Sequence, residues 1–166
     1  DHGDGTRQPD PPQYRHGVLC LDGVEISTAD GHYIAGGTPK APYPLAGAGR
    51  DVAEDVARLG GFGVVAHPDS AKSALRWRDW AAPFDAIEWL NADSEWRDEG
   101  TSRLAQALMT YPFRPIETLA SLLDRPVTTL QRWDALMQQR PVVALAGADA
   151  HARVGLRDDA AVNVVR

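Results

Sequence analysis

FGVVAHP, residues 62–68, is the stretch that decides the fold class. It is a short apolar run bounded by a glycine pair and a proline, which is the pattern of a buried strand. Pro68 also biases the preceding His67 toward an extended backbone. Directly before it, residues 50–59 place Val52, Val56 and Leu59 on one helical face. A helix that leads into a buried strand is typical of an α/β domain with a parallel sheet.

The same alternation of strands and helices continues on both sides of this stretch. Residues 18–27, VLCLDGVEIS, are broken by Gly23 and predict either a strand with a bulge or two short strands. Further strands are predicted in HYIAGG (32–37), FDAIEWLN (84–91) and PVVALAGADAH (141–151), the last of them buried. Helices are predicted in ALRWRDWA (74–81), SRLAQALM (102–109), PIETLASLL (115–123) and TTLQRWDALMQQ (128–139). Because there is no internal repeat and no low-complexity linker, we predict one domain over residues 1–166.

The composition limits the classes of function. A net charge of −6 argues against a protein that coats nucleic acid, because such a protein needs a basic face. A single cysteine, Cys20, excludes an internal disulfide framework and a Cys-rich zinc site. No apolar stretch approaches the roughly 20 residues of a membrane span. We therefore expect no nucleic acid and no membrane as partners, and a cytoplasmic protein, with export as the open alternative.

Several predicted strands end in residues that can bind a metal or act as an acid or base. Ligands of α/β sheets and barrels lie at the carboxyl ends of the strands, so we expect these residues to converge. Asp149 and His151 are two positions apart, which places both on one face of an extended chain. Glu25 lies inside a predicted strand, where an unpaired carboxylate is costly to bury and a cation offsets that cost. The candidate metal ligands are His2, Glu25, His32, His67, Asp149 and His151.

Most of these residues also have a purely structural interpretation. His2 fits a terminal loop, His32 a turn, and His67 a strand end that hydrogen-bonds to the backbone. Glu25 fits an ion pair with an arginine. Imidazole and carboxylate ligands without thiolate suit Zn²⁺, Mn²⁺ or Fe²⁺, so these divalent transition metals are the expected cofactors.

Further polar residues are candidates for supporting roles. Arg7 and Arg153 are candidates for holding an anionic substrate group, and solvated surface charge is the alternative. Glu88 and Asn91, near the end of another predicted strand, are candidates for hydrogen bonds that orient metal ligands.

Five motifs in their order along the chain resemble the PHP (polymerase and histidinol phosphatase) superfamily. They are GVEIS, GHYIAGG, VVAHPDS, DAIEWLN and AGADAH, and together they span nearly the whole chain. The resemblance implies a distorted seven-stranded, TIM-like β/α barrel with two or three metal ions at the carboxyl ends of its strands. The family opens with His-x-His and a following Asp, which nothing here matches. The barrel is therefore expected to be incomplete at the N-terminus, and at the C-terminus as well.

The resemblance also implies a role for each candidate ligand. His2 and His151 would join a third metal, Glu25 would bridge two metals, His32 and His67 would hold the second metal, and Asp149 the first.

The activity implied by the resemblance is hydrolysis of small-molecule phosphoesters by a metal-bound hydroxide. Asp149 would orient or deprotonate the nucleophile as well as bind metal. The substrate is expected to be an anionic small molecule, and no oligomeric state is predicted. DAIEWLN, RWDALMQQ and AGADAH resemble most the branch that contains carbaryl-type hydrolases, so hydrolysis of a carbamate or carboxyl ester is an alternative. A catalytically degenerate PHP module with a structural or regulatory role is another.

Overall fold

The structure, a computed structural model, describes residues 2–97 and 99–149, with the backbone alone at residues 96 and 97. The chain divides into two compact units, which are described separately. One unit comprises Asp1–Leu90 and Arg125–Ala146, and the other comprises Asn91–Asp124 and Gly147–Arg166.

The strands of the first unit form a small hairpin and a mixed five-stranded sheet. The hairpin pairs β1 (Gln13–Arg15) with β2 (Val18–Cys20). The larger sheet has the order β3 (Gly23–Thr28), β4 (Gly31–Gly36), β5 (Phe62–Val65), β6 (Ala86–Asn91) and β7 (Val143–Gly147). The pairs β3–β4 and β4–β5 are antiparallel, whereas β5–β6 is parallel. His2 adds an isolated parallel bridge to Glu25 of β3.

The predicted seven-stranded TIM-like barrel is wrong. Among the described residues the sheet has five strands in an open order, with no closure into a barrel. A β/α barrel needs parallel strands joined by helical crossovers. Here only two residues link β3 to β4, and a link of that length permits only an antiparallel hairpin. The connection from β4 to β5 contains α1 (Gly49–Arg58), yet these two strands are also antiparallel.

The turn of the β3–β4 hairpin depends on Gly31. Its φ is +118°, a conformation that side chains rarely adopt, and a Cβ there would lie 2.8 Å from the carbonyl oxygen of Arg76. The Thr28 hydroxyl donates to the Gly31 carbonyl at 2.7 Å and accepts the Asp30 N–H at 3.0 Å. These contacts set the register of the hairpin.

The two faces of the sheet differ in polarity. Ile26, Tyr33 and Val65 lie on one face and are each at most 1% exposed. Val52 and Val56 of α1 belong to the same hydrophobic core, which confirms the predicted inward face of this helix. Side chains alternate along a strand, so the intervening residues of β3 and β4 point to the opposite face.

Two predicted elements of the first unit differ from the structure. Residues 74–81 form turns rather than a helix, because tertiary contacts hold their backbone: the Trp77 N–H donates to Pro68 and the Arg78 N–H to Asp30. The strand β7 is not buried as predicted. Val143 is 58% and Leu145 41% exposed, since β7 is last in the order of the described sheet.

The second unit is helical in its described part. It contains α2 (Ala92–Arg97), α3 (Thr101–Thr110) and α4 (Pro115–Ser121), whereas α5 (Val127–Met137) belongs to the first unit. Pro115 begins α4 as predicted, and the Thr118 hydroxyl donates to that of Thr110 at 2.9 Å. Within the described residues, every helix is too short or too polar to cross a membrane.

Candidate metal centre

The hairpin β3–β4 and the residues before it bring three of the predicted metal ligands together. His2, Glu25 and His32 offer ligand atoms that all lie within 4.8 Å of one another. The parallel bridge between His2 and Glu25 places the first imidazole beside the carboxylate, with Nδ1 3.8 Å from Oε2. The rings of His2 and His32 are 5.6 Å apart. The structure therefore brings His2, Glu25 and His32 together, which are three of the six predicted ligands.

Strand register places His32 beside Glu25. Ser27 lies directly opposite His32, and Glu25 lies two residues before Ser27 on the same face. His32 Nδ1 is 2.6 Å from Glu25 Oε1, and its Nε2 is 3.3 Å from Ser27 Oγ. Both ring nitrogens of His32 therefore have side-chain partners, which fix the orientation of the ring.

His67 approaches the same carboxylate from the segment after β5. Its Nε2 is 3.1 Å from Glu25 Oε1, and its side chain is only 4% exposed. The prediction of an extended backbone before Pro68 is wrong, because φ of His67 is +29°. The backbone N–H of His67 donates to Glu88 Oε2 at 2.9 Å. Glu88 thus contacts a candidate ligand in the supporting manner that the sequence indicated.

The surroundings of Glu25 keep its carboxylate ionised. Burial by itself would raise the pKa of Glu25, whose side chain is 14% exposed. Hydrogen bonds from His67 and His32, with the charges of His2 and His32, outweigh burial and lower the pKa from 4.5 to about 2. An ionised carboxylate within a group of imidazoles is a ligand set that divalent transition metals favour.

We expect metal-free protein to lose stability in acid as Glu25 becomes protonated. A folded-state pKa below the unfolded value adds stability above pH 4.5, and this stability is lost as the pH falls to about 2. The shift of the Glu25 pKa from 4.5 to about 2 corresponds to about 3 kcal/mol in the free energy of unfolding, at about 1.4 kcal/mol per pKa unit. Urea unfolding at pH 5 and pH 2.5 in the presence of a chelator measures it. Glu25→Gln should remove this part of the pH dependence, and an unchanged dependence in that variant would contradict the assignment.

The donor atoms of this cluster are spread somewhat more widely than a bound cation requires, since they lie within 4.8 Å of one another. Tetrahedral ligands at about 2.0–2.2 Å from Zn²⁺ lie about 3.3–3.6 Å apart, so the side chains would have to close on the ion to bind it. The contact between His32 and Glu25 is a hydrogen bond, and a cation would replace it by drawing both groups to itself. The residues that could hold the cation are His2, Glu25, His32 and, through its contact with Glu25, His67.

Two predicted metal ligands, Asp149 and His151, stay untested. Asp149 belongs to the second unit. Its φ is +45°, so the extended conformation expected at this position is wrong. His151 lies outside the described residues, as does Arg153. The metal and catalytic roles of Asp149, the role of His151 and the substrate role of Arg153 stay predictions.

Arg7 lies near the cluster but has a carboxylate partner. Its guanidinium contacts both oxygens of Asp22 at 2.7 and 2.5 Å. A cavity of about 240 Å³ lies beside Arg7, and its lining includes Asp22, His2 and Thr38. An anionic substrate group would have to compete with Asp22 for Arg7, so the predicted substrate contact stays a prediction.

Sequence reasoning missed Ser27. Its hydroxyl contacts His32, yet the sequence offered only a weak signal, which is its position two residues after Glu25 in a strand. The contact depends on which residue of β4 pairs with Ser27, and that register is a tertiary property.

Comparison with known proteins leaves the family of this chain open. The chain matches no family model, and neither a curated protein nor a solved structure is significantly similar to it. The resemblance to the PHP superfamily therefore stays a prediction, and the functional argument depends on the geometry of the cluster.

Proposed function

We propose that this protein is a metal-dependent hydrolase of small-molecule phosphoesters. The observation that carries the proposal is the convergence of His2, His32 and His67 on the ionised carboxylate of Glu25. When bound there, a divalent transition metal would lower the pKa of water and polarise a phosphoryl oxygen. We expect at least one ion in this cluster.

The roles of the protein groups follow from their positions. Glu25 supplies the negative charge of the site, and its two oxygens face different imidazoles. Ser27 orients the His32 ring. Because Asp22 neutralises Arg7, the cation would provide the positive charge for an anionic substrate. We expect the activity in the cytoplasm, in keeping with a chain whose single cysteine excludes an internal disulfide.

Metal analysis and hydrolysis assays test this proposal. Protein loaded with Zn²⁺ or Mn²⁺ should retain at least one equivalent after desalting and should hydrolyse p-nitrophenyl phosphate. A chelator should abolish that activity, and metal should restore it. His32→Ala should lose both metal and activity, whereas His16→Asn, a change in an exposed turn, should retain both. Folded wild-type protein that retains no metal would overturn the proposal. If that protein was also inert, it would favour the degenerate module.

A carboxyl-ester or carbamate hydrolase is the second candidate, and a specific contact favours it. Ser27 Oγ, His32 Nε2 and Nδ1, and the Glu25 carboxylate follow one another in the order of a Ser-His-acid triad. In this mechanism Ser27 attacks the carbonyl carbon and its proton passes to His32. His32 then gives that proton to the leaving alcohol or amine as the bond to the carbonyl carbon breaks, and water hydrolyses the acyl-enzyme to free Ser27. Hydrolysis of p-nitrophenyl acetate that resists chelator and is lost in Ser27→Ala would select this candidate. Activity on p-nitrophenyl phosphate that Ser27→Ala preserves would exclude it.

A further inference from the structure

The backbone of His67 is held in an unfavourable conformation. A φ of +29° lies in the left-handed region, which costs a residue with a side chain about 1–3 kcal/mol. The following Pro68 adds to the cost, because it biases the preceding residue toward an extended backbone. Such a conformation persists only where neighbouring groups enforce it.

Glu88 accepts a hydrogen bond from the backbone N–H of His67. Its Oε2 accepts the His67 N–H at 2.9 Å, and the residue is 9% exposed. Glu88 belongs to β6, the parallel neighbour of the strand that leads into His67. Removing this acceptor would deprive the buried His67 N–H of this hydrogen bond, which costs about 1–3 kcal/mol and is comparable to the strain.

The segment that follows His67 is anchored to α5 through Asp69. The Asp69 carboxylate accepts the Thr129 hydroxyl and contacts Arg132 Nη1 at 2.7 Å. The Arg132 guanidinium lies 4.8 Å from the centre of the Trp80 ring, which supports it from the other side. All of these residues belong to the first unit.

Two backbone hydrogen bonds close the same segment. The His67 carbonyl accepts the Ser70 N–H at 3.0 Å, and the Pro68 carbonyl accepts the N–H of the buried Trp77 at 3.2 Å. The conformation of His67 is thus enforced from the sheet on one side and from α5 on the other. Its outcome is the contact of 3.1 Å between His67 Nε2 and Glu25.

We propose that Glu88 and Asp69 are positioning residues, which keep the His67 imidazole against Glu25 by enforcing the left-handed backbone of His67. The part of this proposal that concerns metal binding rests on the proposed function. The placement of the His67 ring can be measured without metal. If either anchor is removed, the strain can relax toward an extended backbone, which turns the ring away from Glu25.

The first experiment uses metal-free protein labelled with ¹⁵N at histidine. Long-range ¹H–¹⁵N spectra report the hydrogen bonding of each imidazole, and His67→Asn assigns the His67 signals. Glu88→Leu, which removes the acceptor at similar size, should shift the His67 signals. Glu88→Gln should leave them near the wild type, because its amide oxygen still accepts the N–H. His16 signals should not move in any variant.

A matched pair of carboxylates tests the second anchor. Asp69→Ala should shift the His67 signals in the same direction as Glu88→Leu. Asp79→Ala is the control, since Asp79 lies in the same loop region but pairs with Arg50 at 3.2 Å. If Glu88→Leu does not fold, Asp69→Ala carries the test, because the Asp69 side chain is 31% exposed. Asp69→Asn is the milder variant, since its amide oxygen still accepts the hydroxyl of the buried Thr129.

The second experiment measures Zn²⁺ affinity by calorimetry in the same folded variants. Loss of a supporting hydrogen bond to a metal ligand costs about 10- to 100-fold in affinity, and we expect this loss for Glu88→Leu. Glu88→Gln should restore most of it. If Glu88→Leu and Asp69→Ala lower the unfolding free energy but leave the His67 signals and Zn²⁺ affinity unchanged, the proposal is overturned. If wild-type protein binds no Zn²⁺ while the His67 signals still shift, the proposed function fails and the positioning role stands.

Discussion

Replacement of Glu25 by glutamine should lower the Zn²⁺ affinity of the protein by about 100-fold and abolish metal-dependent hydrolysis. Two unit charges about 4 Å apart attract by about 4 kcal/mol at an effective dielectric constant of about 20, roughly a thousandfold, and a direct ligand of a divalent cation lies closer still. The Glu25 side chain is 14% exposed, so solvent screening reduces this effect. Glutamine keeps the shape and one acceptor oxygen, so the loss reports the charge rather than a cavity.

Calorimetry with Zn²⁺ and hydrolysis of p-nitrophenyl phosphate are the two measurements for this variant. His16→Asn is the matched control, because His16 lies in an exposed turn at φ +50°, which asparagine tolerates. If Glu25→Gln binds Zn²⁺ as tightly as wild type, the metal does not lie at this carboxylate. The proposed centre would then be wrong even if the protein is a hydrolase.

Gly31→Ala should reduce the free energy of unfolding by about 2–6 kcal/mol and weaken metal binding as well. Strain at φ +118° contributes about 1–3 kcal/mol, and the contact of the new Cβ with the Arg76 backbone contributes about 1–3 kcal/mol. The clash is with backbone rather than with a flexible side chain, so it cannot relax cheaply. Because Gly31 precedes His32, a shifted turn also moves this imidazole relative to Glu25.

Urea unfolding of Gly31→Ala and of Gly60→Ala separates the backbone strain from the clash with the Arg76 backbone. Gly60 has φ +79°, but no atom lies within 4 Å of the position that a Cβ would occupy, so its alanine variant carries strain alone, about 1–2 kcal/mol. A cost for Gly31→Ala no larger than that for Gly60→Ala would show that the Arg76 contact is not limiting. Wild-type Zn²⁺ affinity in Gly31→Ala would show that the turn does not position His32.

Local patterns in the sequence were sufficient for several elements. The spacing of Val52 and Val56 predicted both α1 and its buried face. GVEIS and HYIAGG were recognised as strands because alternation within a strand depends only on neighbouring residues. The candidates His2, Glu25, His32 and His67 were likewise found from residue type and strand position.

Other elements depended on contacts that no local pattern records. Residues 74–81 have the composition of a short helix, yet hydrogen bonds to Pro68 and Asp30 hold them as turns. The preference of a residue before proline predicted an extended His67, but Glu88 and the segment beyond it enforce a positive φ. In both cases several tertiary contacts outweigh a local preference, which is about 1 kcal/mol or less per residue for helix propensity and about 1–3 kcal/mol for the backbone of His67.

The sequence by itself determined which residues can carry the chemistry and which segments form α1, β3, β4 and β5, because these follow from side-chain type and local periodicity. The tertiary structure decided the direction in which strands pair, and with it an open mixed sheet in place of a barrel. It also decided that Ser27 faces His32 and that Glu88 holds His67. The physical reason is that strand register and long-range hydrogen bonds depend on residues that are distant along the chain. The free energy of these contacts outweighs local preference only once the chain has folded.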